Sequence, residues 1–110
     1  MSIRRADVVW ATDPFRDGEN PRPWLVLSDS RHPFHGEECV CAPMTTTERP
    51  AAISVGRSDW TDGGSDVRSF VSSWSPMTVK HDTIRKRQGM IRKSIVRRVV
   101  EGVISYVRRS

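Results

Sequence analysis

Apolar residues in this chain come in short runs cut off by turn-forming residues, and only once, close to the C-terminus, do they recur at helical spacing. Runs of that length read as strands, and many short strands enclose a core only when their sheet bends strongly on itself. Asp7-Val8-Val9-Trp10-Ala11 reads as the first strand. Residues 12–21 follow as a loop rich in Asp, Pro, Gly and Asn, of a length often found in functional loops. Residues 23–28 form the second strand, and their continuous apolar run predicts burial on both faces. A second loop, 29–37, leads to a third strand over 38–44. Beyond it lie a weaker strand at 51–56, a turn at 62–65, and a segment at 67–73 with Phe70 and Val71 in the core. Short strands are expected at 77–80 and 88–92. From Ser94, read as an N-cap, Ile95, Val96, Val99, Val100, Val103, Ile104 and Val107 form one helical stripe, with Arg97, Arg98 and Glu101 opposite. Its valines lower helix propensity, so tertiary packing must hold this helix. The fold class is mainly β with a C-terminal α-helix.

With 110 residues the chain is read as one domain over 1–110 with a single modest core. No apolar run is long enough to span a membrane and the N-terminus lacks an apolar signal core, so the chain reads as cytoplasmic. Cys39 and Cys41 sit two apart on one strand face, a poor arrangement for a disulfide. His32 and His35 are close in sequence, yet the spacing matches no recognisable zinc pattern. Free, buried thiols are expected, with no metal and no cofactor. Charge is unevenly placed: residues 80–110 carry a net +8, residues 1–79 a net −3. A basic end of that kind suits a polyanion, a solvated helix face or an acidic protein partner, and charge alone does not choose.

Two polar features carry chemistry. In Glu19-Asn20-Pro21-Arg22-Pro23-Trp24 a single arginine stands between two prolines at a strand entrance. Proline fixes φ and pushes the preceding residue into extended geometry, so the Arg22 guanidinium projects from a set place, as a phosphate ligand should. The second is Pro43-Met44-Thr45-Thr46-Thr47, hydroxyls at the end of the third strand. An arginine and a threonine converging on one phosphate would stabilise a pentavalent transition state. Asp13, Asp17 and Glu19 cluster in the first loop, where turn formation alone accounts for acidic residues. His81, beside Lys80, is the histidine nearest the basic half.

Arg5-x-Asp7-Val8-Val9-Trp10, then Pro21-Arg22-Pro23-Trp24-Leu25-Val26-Leu27-Ser28, then Ala42-Pro43-Met44-Thr45-Thr46 resembles the N-terminal half of the MazF/PemK toxins of type II toxin–antitoxin systems. The resemblance implies a small SH3-like barrel, a homodimer, a cognate antitoxin and metal-independent cleavage of single-stranded RNA. Cleavage would proceed by 2′-OH attack, leaving a 2′,3′-cyclic phosphate and a 5′-OH. It places the catalytic roles on Arg22 and Thr45, with Thr46 as the alternative if the threonine run is shifted by one. Glu19, Pro23, Thr46, Trp74, Lys80, His81, Arg85 and Lys86 are the expected RNA-binding residues, and the charges between Lys80 and Arg98 are expected to line the RNA groove. Residues 72–78 depart from the family's pattern. Trp10 and Trp24 are expected in the core or near an interface, while Trp60 and Trp74 lie in turn-rich segments where they stack a base or meet an antitoxin. Two other readings compete: a CcdB-like toxin that binds gyrase without catalysis, and a basic SH3-like nucleic-acid-binding module. Neither needs both Arg22 and Thr45.

Overall fold

A computed structural model describes residues 2–14 and 20–108. Eight strands and one helix follow in the order β1 (Asp7–Thr12), β2 (Pro21–Val26), β3 (Glu38–Thr45), β4 (Ile53–Val55), β5 (Trp60–Gly63), β6 (Ser69–Val71), β7 (Met77–Lys80), β8 (Ile84–Ile91) and α1 (Lys93–Val107). The strands pair antiparallel in the spatial order β4-β6-β3-β2-β1-β8-β5, with β7 also on β3. The long β3 bends the sheet. Its first half pairs with β7, its last residues pair with β6, and β2 takes Cys41, Ala42 and Pro43 along its other edge. The result is a curled half-barrel with one C-terminal helix, the architecture expected from the short apolar runs.

Strand pleating sorts the apolar residues into two cores. Val8, Leu25, Ala42 and Met44 face one side, where Ile95, Val96 and Val99 of α1 cover them. Val9, Trp24, Val26, Cys39, Cys41 and Val79 face the other. The unbroken apolar run of β2 is thereby explained, since Trp24, Leu25 and Val26 are all buried and go alternately to the two cores. The cysteines are free, with sulfurs 3.5 Å apart. The contact to Cys39 and burial both push the Cys41 thiol well above its ordinary range.

Several local expectations shift. β2 begins at Pro21, so Arg22 lies within the strand, opposite Ala11, instead of at its entrance. Proline is tolerated there because Pro21 and Pro23 lie beyond the last β2–β3 pair, Trp24–Pro43. Asp62 and Gly63 extend β5 rather than opening the turn. Gly63 has φ +62°, and a Cβ there would lie 2.1 Å from the Gln88 carbonyl oxygen, so glycine is required by both backbone and space. Trp60 stands on β5, half-buried against the helix-side core. Ser94 is not the N-cap. That position belongs to Arg92, whose backbone N–H donates to the Asp59 carbonyl (2.8 Å) and whose Nε donates to the Asp59 carboxylate (2.7 Å), starting the helix two residues early. The helical stripe is buried only over its first half: Ile104 and Val107 are exposed, as is Tyr106.

Candidate active site

The β1–β2 register sets Arg22 opposite Ala11, two residues before Asp13 along β1's line, so the Arg22 and Asp13 side chains are diagonal neighbours on one face. Arg22 Nη1 donates to Asp13 Oδ2 at 3.0 Å, and the pair is largely dry, with side chains 16% and 5% exposed. Nη2 and Nε donate to the Met44 carbonyl at 2.8 and 3.3 Å. The guanidinium carbon also sits 5.8 Å from the centre of the Trp24 ring, itself buried and tied by its indole N–H to the Ala11 carbonyl at 3.1 Å. Arg22 is therefore fixed by three elements, β1's end, β2 and β3, and not by its flanking prolines alone.

On β3, Pro43 and Thr45 lie on the face opposite Met44, which points into the helix-side core. Both line a cavity of about 360 Å³ together with Arg22, Asp13, Ser72 and Trp74. That is toward the small end of the roughly 300–1,000 Å³ of ligand clefts. Trp24, Thr47, Arg49, Ser75 and Met77 complete the wall. Thr45 Oγ1 accepts the Thr47 backbone N–H at 3.1 Å, which leaves the hydroxyl hydrogen to point elsewhere. Thr46 is exposed and is not part of the wall, whereas Thr45 and Thr47 both line it.

The other expected RNA-binding residues are dispersed. Trp74 joins Arg22 and Thr45 in the same cavity. Lys80 lines an adjoining depression of about 330 Å³ that shares Trp24 and Met77 with it. Lys86 stands on β8 with its ammonium 5.0 Å from the Trp10 ring centre, and Arg85 is exposed beside it. His81 is half-buried, its backbone N–H donated to the Glu37 carbonyl at 2.9 Å. Pro23 pairs with Trp10 and is not among the residues that line the cavity. Glu19 lies outside the described residues. Lys93 and Arg97, within the stretch expected to line an RNA groove, line a separate cavity instead. Among the described residues no group of three or more His, Cys, Asp or Glu is placed to hold a metal ion.

Asp13, Ser72, Ser75 and Arg49 were not singled out by sequence for this site. For Asp13 a signal existed, the Asp-Pro pair directly after a strand, but only the β1–β2 register converts it into a partner for Arg22.

The family model for PemK-like, MazF-like toxins of type II toxin–antitoxin systems matches residues 4–107. The chain belongs to that family. Solved structures agree on the fold. A MazE–MazF complex from Deinococcus radiodurans superposes with a TM-score of 0.79 over 100% of both chains at 16% identity. An endoribonuclease bound to its cognate antitoxin, from a mycobacterial species, gives 0.73 at 18% identity, covering 96% of this chain and 93% of the other. The Mycobacterium tuberculosis toxin MazF-mt6 gives 0.68 at 20% identity, covering 91% and 94%. A comparison with curated proteins gave no match. At these identities the structural likeness is one of fold, and the PemK/MazF-like assignment itself rests on the family model.

Proposed function

We propose that this PemK/MazF-like toxin is an endoribonuclease that cleaves single-stranded RNA at the Arg22–Thr45 cavity, without a metal. The observation that carries the reading is the convergence of a fixed guanidinium, a hydroxyl with its hydrogen uncommitted, and an indole on one nucleotide-sized cavity. The 2′-oxygen bonds to phosphorus as its proton passes to water. The bond to the 5′-oxygen then breaks and that oxygen takes a proton from water, leaving a cyclic phosphate and a 5′-OH. Three of the Arg22 N–H groups are committed to Asp13 and Met44, so one on each of Nη1 and Nη2 remains to meet a phosphate. Arginine stays protonated at any working pH, so its share is charge stabilisation of the phosphorane and not proton abstraction. Thr45 donates to a second phosphate oxygen, Trp74 stacks a base, and Arg49 adds a second cation at the rim.

The whole of 1–110 acts as one toxin domain, in the cytoplasm; no helix among the described residues is long and apolar enough to cross a membrane. Its partners are RNA, a cognate antitoxin and a second copy of itself. The uncovered end of the α1 stripe at Ile104 and Val107 supports self-association. The gyrase-binding alternative gives no purpose to an arginine so firmly aimed at a cavity.

Purified protein incubated with total RNA in excess EDTA should yield new 5′-OH ends. The Arg22→Ala variant should lose about 10²–10³ in rate with an unchanged circular dichroism spectrum. Equal cleavage by variant and parent, with matching spectra, refutes the assignment.

A further inference from the structure

The two cysteines do not line the catalytic cavity, yet they are placed as a pair. Cys39 and Cys41 point to one face of β3, into the core that holds Trp24, Val26 and Val79. Their sulfurs stand 3.5 Å apart, against about 2.0 Å in a disulfide. Alternate residues of a strand have Cα atoms about 6.7 Å apart, at the upper end of the roughly 4.4–6.8 Å that disulfides span. A disulfide of that span closes only under strain, and strained disulfides are the ones that thiols readily reopen.

The two sulfurs are chemically unequal. The hydrogen bond from Cys41 holds the Cys39 thiol below its ordinary range, against burial and the nearby charges of Asp7 and Glu38, while the same contact pushes Cys41 up. Cys39 is thus the nucleophile and Cys41 the resolving thiol. Both are buried, at 4% and 0% exposure, and Val79 of β7 packs in the same cluster, its carbonyl accepting from Cys39 Sγ at 3.6 Å. That cover is slight. β7 has four residues and, among the described residues, pairs with β3 alone. Lifting it breaks a single ladder and uncovers Cys39 at far less cost than global unfolding.

We propose that Cys39 and Cys41 form an oxidation site for hydrogen peroxide, closing a reversible disulfide within β3 that slows RNA cleavage. The Cys39 sulfur attacks one peroxide oxygen, the O–O bond breaks, and the other oxygen leaves as water with the thiol proton. The Cys41 sulfur then attacks the sulfenic sulfur, the S–O bond breaks, and a second water leaves with the Cys41 proton. Two electrons pass from the sulfurs to the peroxide. The route to the catalytic cavity is short. Cys41 pairs with Val26 on one side and Met77 on the other, and the β2–β3 ladder ends two residues further on at Trp24–Pro43. Met77, Trp24 and Pro43 all line the cavity, so drawing the two cysteines together shifts its wall. The effect on cleavage rests on the nuclease reading; formation of the disulfide does not.

The reduced full chain is treated with hydrogen peroxide, unfolded in N-ethylmaleimide and weighed intact. It should be lighter by two hydrogens and carry no maleimide, and dithiothreitol should reverse both. The chain has only these two cysteines, so an internal bond joins them. RNA cleavage should fall about tenfold or more as the disulfide forms. It should return with dithiothreitol, which leaves methionine sulfoxides as they are. Cys41→Ala should stop at a sulfenic acid trapped by dimedone. Cys39→Ala should trap none and show no loss of cleavage that dithiothreitol restores, with circular dichroism checking the fold of both variants. Two maleimides on the peroxide-treated parent, a disulfide between two chains, or an internal disulfide with unchanged cleavage would overturn the proposal. So would an equal, dithiothreitol-reversible loss in folded Cys39→Ala. A reduced parent that never cuts RNA would instead refute the nuclease reading, and the mass would still decide the disulfide.

Discussion

Replacing Asp13 by asparagine tests the site more sharply than removing Arg22 itself. The carboxylate is 5% exposed and holds Arg22 Nη1 at 3.0 Å, while Met44 accepts from Nε and Nη2. Deleting one partner of a fully buried pair costs about 3–5 kcal/mol. Here the amide oxygen of asparagine still accepts from Nη1, and the exposed edge of Arg22 reaches water. At this contact the loss is a charge-assisted hydrogen bond weakened to a neutral one, about 1–2 kcal/mol. Catalysis should suffer more than stability. A displacement of about 1 Å at a transition-state contact costs up to about 10² in rate, so kcat in Asp13→Asn should fall between about 10- and 100-fold. KM should hold or drop, because a negative charge beside the phosphate seat has gone. Initial rates on a fluorogenic RNA in EDTA, with thermal melts on the same samples, read all three quantities. The cycle with Arg22→Ala decides the mechanism: the double variant should be no slower than Arg22→Ala alone, since Asp13 acts through the guanidinium. Independent, multiplying losses would refute positioning and make Asp13 a proton acceptor in its own right. A lowered melting temperature with unchanged kcat would reduce the pair to a structural contact.

Thr45→Val should lower kcat by roughly tenfold or more with KM unchanged, while Thr46→Val should do nothing; steady-state kinetics on the same RNA separates them. Gly102→Ala should lower the melting temperature, because the added Cβ would lie 2.5 Å from Ser73 Oγ and 2.9 Å from its Cβ, lifting α1 off the sheet. The clash costs about 1–3 kcal/mol against the roughly 1 kcal/mol that alanine gains in a helix. Asp59→Asn should destabilise the protein at neutral pH but not in acid. Burial opposes the Asp59 charge, yet the Gly56 N–H and Arg92 outweigh it and hold its pKa below the ordinary value. Its contribution is thus present above the unfolded pKa of about 3.9 and lost as pH falls through the folded one, so melts taken between about pH 6 and pH 2 should converge for parent and variant.

The fold was legible where a single period dominates. The strands at β1, β3 and β7 and the helical stripe of α1 follow from apolar spacing alone, because pleat and helix pitch impose that spacing. What sequence could not supply was pairing. Trp60 looks free in a turn-rich stretch until β5 docks on β8, and Ser94 looks like an N-cap until Asp59 captures Arg92 from 33 residues away. The same limit applies to the site. Arg22 and Thr45 were legible as residue types at strand ends, and Trp74 as an aromatic in a loop. Their convergence on one cavity depends on β3 exchanging β7 for β6 along one edge just where its pairing with β2 ends on the other, a long-range choice with no local signal.

That departure also explains why Arg22 is aimed as it is. The β2–β3 ladder runs from Val26–Cys41 through Leu25–Ala42 to Trp24–Pro43, and one step further Met44 would face Pro23. Proline has no N–H to offer, so the Met44 carbonyl lacks a donor from β2. The guanidinium of Arg22 supplies two donors to that oxygen. A carbonyl left without an interstrand partner would cost about 1–3 kcal/mol if unmet, and that penalty now works to hold the arginine in place. The two prolines thus act in different ways: Pro21 extends the backbone ahead of Arg22, while Pro23 withholds the hydrogen that would compete with it. An arginine tethered by backbone on one side and by Asp13 on the other can face a phosphate with two N–H groups and lose little side-chain entropy on meeting it.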